Sequence, residues 1–258
     1  VIEDDLFASQ KEKFISLSGK LSNKYKDIKF LLPQGLSVAV LNEEIIDAMI
    51  KMGIKEAAIA IESGSEYVQK KIIKKNVSLE KAKRILEYLR KKEFNIYVNF
   101  ILGFPGETEQ MMNETTAYIN SIDVDWVYIF HALPLPGSEI YDALVSKKII
   151  EPATFDWDGL RLGRRNFDTP EITAEKLAKF IYDLNISRNF FNNDNLKQGR
   201  FKKAISVFNN LILNLYPYHV VGRYCRALCF LGMGEKNKAA EEFRECIKWI
   251  NSNSESTR

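Results

Sequence analysis

Four short stretches of this chain bring together residue types that could do chemistry. Glu3-Asp4-Asp5-Leu6-Phe7 clusters carboxylates directly after a strand-like remnant, and such acids hold an ammonium group or a metal. They would equally complement the dipole of a helix starting there. Ile61-Glu62-Ser63-Gly64-Ser65 ends an apolar run in a carboxylate followed by small hydroxyl residues, which suits a ribose diol or a bound amine. Ser63 and Ser65 have a helix-capping explanation. Glu62 has none, because it emerges from Ala57-Ala58-Ile59-Ala60-Ile61. In Asn99-Phe100-Ile101-Leu102-Gly103-Phe104-Pro105-Gly106-Glu107-Thr108 two glycines bracket a proline, so the backbone can turn tightly and approach a flat ligand. A plain strand–helix turn capped by Thr108 or Glu107 is the simpler account. His131-Ala132-Leu133-Pro134-Leu135-Pro136-Gly137-Ser138 is a proline-stiffened strand exit whose amides could read an adenine edge, or merely a strand end before a helix capped by Ser138.

The elements that must position these stretches alternate along residues 1–150. Short apolar runs near 28–32, 57–62, 96–102 and 126–131 predict strands; periodic segments near 8–25, 43–52, 66–74, 78–92, 107–120 and 138–147 predict helices. This βα alternation is that of a parallel sheet with helices packed outside it. Function then belongs at the carboxyl ends of the strands, where all four stretches lie. Ser63 with Glu66 has capping-box spacing, Ser78 precedes a helical run, and Gly53 is a helix stop. Strand 97–102 is nearly continuous apolar, the pattern of a strand covered on both faces. Residues 151–182 read as an irregular polar linker followed by a helix near 173–191; Arg161, Arg164 and Arg165 there form a short basic loop, read as a solvated face or a phosphate clamp. Residues 183–258 contain a repeat: Gly199, Ala204, Phe208 and Ile212 return as Gly234, Ala239, Phe243 and Ile247. The pattern resembles the tetratricopeptide repeat.

Composition narrows the classes. The 258 residues are 46% hydrophobic and 28% charged with net charge +3, an ordinary globular balance that excludes disordered and collagen-like chains. So mild a basic excess does not call for nucleic acid as a partner. No run reaches the ~20 apolar residues of a membrane span. The three cysteines, Cys225, Cys229 and Cys246, form no disulfide framework and fit a reducing cytoplasm; each is expected as a buried hydrophobe.

Taken together, the order and spacing of the landmarks resemble the radical S-adenosylmethionine (SAM) superfamily. The nearest likeness is to members often carrying an upstream cobalamin-binding domain. The matching residues also include Leu32-Pro33-Gln34-Gly35-Leu36 and Leu135-Pro136-Gly137-Ser138-Glu139-Ile140-Tyr141, and the likeness covers about residues 1–145. It implies a partial (β/α) barrel, with its N-terminal βα unit missing, followed by the helical repeat-like region. It also implies SAM bound across the strand ends. Asp4 and Asp5 would take the methionine amine, Glu62 with Ser63 the ribose or methionine end, Asn99, Ile101 and Gly103 the adenine face, and His131 to Leu133 the adenine edge.

One departure stands out. The family's reaction needs three cysteines spaced C-x3-C-x2-C to hold a four-iron four-sulfur cluster, and this sequence has no such motif. Because Val1 enters in mid-pattern, the expectation is the C-terminal portion of a radical SAM oxidoreductase or methyltransferase, inactive by itself. The cluster belongs to the full-length parent, and cobalamin depends on an upstream domain. The organic substrate is unknown. The rival reading is a non-catalytic module whose helical tail grips a protein partner through Tyr216, Tyr218, Tyr224 and Trp249.

Overall fold

The computed structural model describes residues 8–25, 28, 30, 32, 35–75, 77–161 and 163–252. They form two compact units, Val1–Leu184 and Asn185–Arg258. Among the described residues no helix is long and apolar enough to cross a membrane.

Among the described residues, the first unit has α1 (Lys11–Lys24) and then four parallel strands in chain order: β1 (Leu36–Ser37), β2 (Glu56–Glu62), β3 (Asn95–Leu102) and β4 (Trp126–His131). The connecting helices are α2 (Glu43–Lys51), a π-helical turn at Val68–Ile72 with α3 (Leu79–Lys91), and α4 (Glu109–Asn120). After the sheet come α5 (Glu139–Ser146) and α6 (Ala174–Ile186). β2, β3 and β4 lie where the apolar runs place them. The expected strand near 28–32 falls partly outside the described residues, and the first paired strand is instead Leu36–Ser37. Two residues carry no periodicity from which to read it.

Strand alternation decides which face is the core. On β3, Ile96, Val98, Phe100 and Leu102 are wholly buried, while Asn95, Tyr97, Asn99 and Ile101 are half-buried on the opposite face. The continuous apolar run thus covers one face completely and leaves the other partly open. On that second face Ala58 stands opposite Tyr97, Ala60 opposite Asn99, and Asn99 opposite Tyr128. Small residues on β2 leave room for the larger side chains of β3 and β4. Helix starts follow their caps: Asn42, Ser78, Thr108 and Ser138 each accept a backbone N–H three residues on. At the amino end of the sheet Asp125 is buried, with Oδ1 accepting from Arg90 Nη1 at 2.9 Å and Oδ2 from the Ile96 amide at 2.7 Å. That pair ties the end of α3 to the starts of β3 and β4.

The second unit is helical: a π-helical turn at Ser187–Phe191, α7 (Asp194–Lys197), α8 (Phe201–Phe208) running into another at Asn209–Leu213, α9 (Val220–Gly232) and α10 (Lys236–Ser252). Gly199 and Gly234 both take left-handed backbone (φ 72° and 77°), and Ala204 and Ala239 are both fully buried. A Cβ on Gly232 would lie 2.2 Å from the Phe201 ring, so α8 and α9 approach closely only because that residue has no side chain. The two halves differ outside the hairpins. Phe208 is buried, whereas its counterpart Phe243 is half-buried and Ile247 is 58% exposed.

Candidate functional site

The carboxyl ends of β2, β3 and β4 each close on an unusual piece of backbone. At β2 the register shifts between Ala60 and Glu62, and Glu62 adopts φ 71°, a region that L side chains rarely enter. The bulge turns the Glu62 side chain to a position where it is only 11% exposed and Oε1 accepts from Lys75 Nζ at 2.7 Å. At β3, Gly103 and Gly106 take φ 84° and 89°, so this turn needs both glycines. At β4, the Ala132 amide donates to the Leu102 carbonyl at 2.9 Å and keeps the two exits in register.

These exits border a cavity of about 330 Å³, at the small end of ligand pockets, which run from ~300 Å³. Ile101, Phe104, Ile72, Ile73 and Ile140 supply its apolar walls, and Glu62, Lys75, Ser138 and Glu139 its polar groups. Of the residues singled out by sequence, Glu62 and Ile101 meet in this cavity. Asn99 shares a sheet face with Ile101, two residues earlier on β3, where a Cβ on Gly35 would come within 3.2 Å of its amide nitrogen. Leu133 is half-buried just beyond β4. Asp4 and Asp5 lie outside the described residues.

Three candidates are occupied in other ways. Ser63 is fully buried, its hydroxyl 3.1 Å from that of Thr115 on α4 and accepting the Ser65 amide at 3.1 Å. It makes no capping box with Glu66, which pairs with Lys70 at 2.6 Å instead. The reason is the close approach of this turn to α4: a Cβ on Gly64 would lie 2.8 Å from the Thr115 backbone. Gly103 is sealed between other side chains, with Leu177 2.3 Å from where its Cβ would stand. His131 is 3% exposed; burial and the nearby Arg165 charge push its pKa down to about 4, against a hydrogen bond with the Gly163 backbone.

Two charged residues at this edge were not expected there. Glu107, read as a helix cap, is wholly buried: Oε2 accepts the Gly103 amide at 2.6 Å and the Phe104 amide at 3.1 Å, while Thr108 is the cap. Burial raises its pKa to about 7, opposed by those two amides and by Arg165. Arg165, read as part of a basic solvated loop, is 1% exposed and donates to the Gly103 carbonyl at 2.8 Å. A carboxylate four residues beyond a strand-end glycine was a usable signal for Glu107. An arginine in an aperiodic polar segment offers none.

The cysteines do not fit an iron–sulfur cluster. Cys225, Cys229 and Cys246 are buried in the helical unit, and burial pushes the thiols of the first two up to about 12 and raises the third. Metal ligation needs the thiolate, which such surroundings disfavour. Among the described residues no group of three or more His, Cys, Asp or Glu could hold a metal ion.

Comparison with known proteins finds likenesses for the first part of this chain. Residues 3–119 match the model of the radical SAM superfamily. Cytidylyl-2-hydroxyethylphosphonate methyltransferase of Streptomyces wedmorensis is 29% identical over 167 residues, covering 60% of this chain and 31% of that protein. An uncharacterized methyltransferase of Pyrococcus horikoshii is 23% identical over 184 residues, covering 71% of this chain and 39% of that protein. A solved structure of the Escherichia coli radical SAM enzyme coproporphyrinogen III oxidase aligns with TM-score 0.45 and 14% identity over 66% of this chain and 36% of that one. The chain spans about a third of the length of the two curated relatives. Over residues 3–119, this chain resembles the radical SAM superfamily.

Proposed function

We propose that the first unit is the SAM-binding part of a radical SAM methyltransferase, and that the cavity at the strand exits receives the adenosyl group. The observation that carries this reading is that Glu62 and Ile101, from successive strand ends, line one cavity. Ile101 and Phe104 offer flat apolar contact to a heterocycle, and the Glu62 carboxylate is an acceptor for a ribose diol. Asn99 and Leu133 extend the same edge on either side, and Asp4 and Asp5 would add the acids for the methionine amine. Methyl transfer is favoured over other family outcomes because the two relatives above carry methyltransferase names. In the family, a bound four-iron four-sulfur cluster delivers one electron to the sulfonium. This chain's cysteines do not fit that group, so the role assigned here is binding and orientation, and chemistry requires cluster ligands from elsewhere in a longer parent. Calorimetric titration of SAM into the chain is expected to show binding that Glu62→Gln weakens about tenfold, the worth of one hydrogen bond to a charged group. Equal affinity in both proteins would refute the assignment.

A second reading concerns the helical unit. Tyr216 and Tyr218 are 50% and 45% exposed, and Tyr218 packs on Trp249 with ring centroids 5.8 Å apart. We propose this aromatic patch, with Ile247 and Ile250 of α10, as a contact surface for a protein partner in a tetratricopeptide-like hairpin pair. Ile247→Glu in the full chain is expected to abolish capture of that partner without lowering thermal stability; unchanged capture would dismiss the surface.

A further inference from the structure

Gly103 is held from both sides. Its amide donates to Glu107 Oε2 at 2.6 Å, and its carbonyl accepts from Arg165 Nη1 at 2.8 Å. The next amide, of Phe104, donates to the same Glu107 oxygen at 3.1 Å. Arg165 is itself fixed: Nη2 donates to the Ile172 carbonyl at 2.6 Å, and the guanidinium lies 5.0 Å from the centre of the Phe167 ring. Glu107 is 0% exposed and Arg165 1%. Burying both charges is expensive, and what they hold in common is a single peptide unit. The arrangement leaves Glu107 Oε1, Arg165 Nε and His131 Nδ1 buried with no hydrogen-bond partner among the described residues. That peptide stands between Ile101 and Phe104, two walls of the cavity. Arg165 and Ile172 lie beyond residues 3–119, in a segment the family match does not include.

We propose that Glu107 and Arg165 clamp the Gly103–Phe104 turn from opposite sides, making Arg165 a positioning residue for the cavity, supplied by a segment added after the shared family core. The clamp rests on the hydrogen bonds alone; its consequence for SAM rests on the adenosyl reading of the cavity. The charged groups around it are few. Arg165 faces Glu107, while Glu107, Asp168, Glu171 and His131 face Arg165. The Arg165 charge holds the Glu107 carboxyl down against its burial, so removing that charge must move the carboxyl's titration to higher pH.

The test follows the Gly103 and Phe104 amide resonances of the full chain by NMR between pH 5 and 9, beside SAM affinity from calorimetry. In the wild type both amides are expected to titrate with a midpoint near about 7. Arg165→Met should raise that midpoint and weaken SAM binding about tenfold, the worth of one hydrogen bond from a charged donor. Arg165→Lys, which keeps the charge but not the fork, should return the midpoint toward wild type with intermediate affinity. Glu107→Gln should abolish the titration and keeps the test decisive if Arg165→Met does not fold. An unmoved midpoint in Arg165→Met, or a titration surviving Glu107→Gln, overturns the clamp. Amides that behave as expected in a wild type that binds no SAM uphold the clamp and refute the adenosyl reading.

Discussion

The two ends of the same sheet bury charge in opposite ways. At the amino end, Asp125 has both oxygens bonded, one to Arg90 and one to the Ile96 amide, and among the described residues Arg90 Nε alone is left over there. At the carboxyl end, Glu107, Arg165 and His131 each keep a buried polar atom without a partner among the described residues, and Glu62 sits at positive φ. Satisfied charge ties elements together. Unsatisfied charge and strained backbone cost stability and persist where the surrounding structure holds something ready for a ligand.

The largest effect should come from breaking the satisfied end. Asp125→Ala takes the acceptor from the buried Ile96 amide and one of the two carboxylates from Arg90, which keeps its pair with Asp123, and is expected to cost about 3–5 kcal/mol in denaturant unfolding, with SAM affinity unchanged where the fold survives. If affinity falls as well, the two ends are not separable in the way described.

Next comes the pH dependence of stability, in which the carboxyl end contributes two opposing terms. Glu107 has a folded pKa, about 7, above its ordinary 4.5, so its contribution is fully present below pH 4.5 and lost as pH rises through 7. His131 has a folded pKa, about 4, below its ordinary 6.5, so its contribution is present above pH 6.5 and lost as pH falls through 4. In the wild type the terms oppose each other between pH 4.5 and 6.5. His131→Asn should expose the Glu107 term as a stability loss toward neutral pH, and Glu107→Gln the His131 term as a loss toward acid, each on the order of 3 kcal/mol. Unfolding free energies at several pH values measure this, and parallel curves for all three proteins would break the comparison.

A smaller effect separates strain from binding. Glu62→Gly relieves a non-glycine residue at φ 71° and is expected to raise stability by about 1 kcal/mol while removing most SAM affinity. A variant that is both less stable and fully competent to bind would count against strain held for function. Lys75→Met removes an ion pair whose lysine is 57% exposed, and thermal unfolding should register under ~1 kcal/mol.

What could be read from sequence follows the same division. β2, β3 and β4 were legible because their burial is written as apolar alternation, and the helix starts because Asn42, Ser78, Thr108 and Ser138 cap locally. Glu62 was legible as a carboxylate ending an apolar run, but its positive φ depends on a bulge that only strand pairing reveals. Ser63 looked available because its partner, Thr115, lies fifty-two residues away on another helix. Arg165 was misread for a stronger reason. Arginine in a polar stretch is ordinarily solvated, and its burial against Gly103 arises from tertiary placement that leaves no periodic trace.

The most direct test of the central claim is SAM binding after the cavity is filled from its own wall. Ile101 is half-buried on the second face of β3, packed on the small cluster of Val68, Phe104 and Ala132, so Ile101→Trp adds bulk at the cavity and away from the main core of the sheet. Calorimetry on the wild-type chain and on Ile101→Trp is predicted to show SAM binding in the first and its loss in the second at matched thermal stability. Equal binding in both, or none in the wild type, would contradict the assignment of the strand-exit cavity to the adenosyl group.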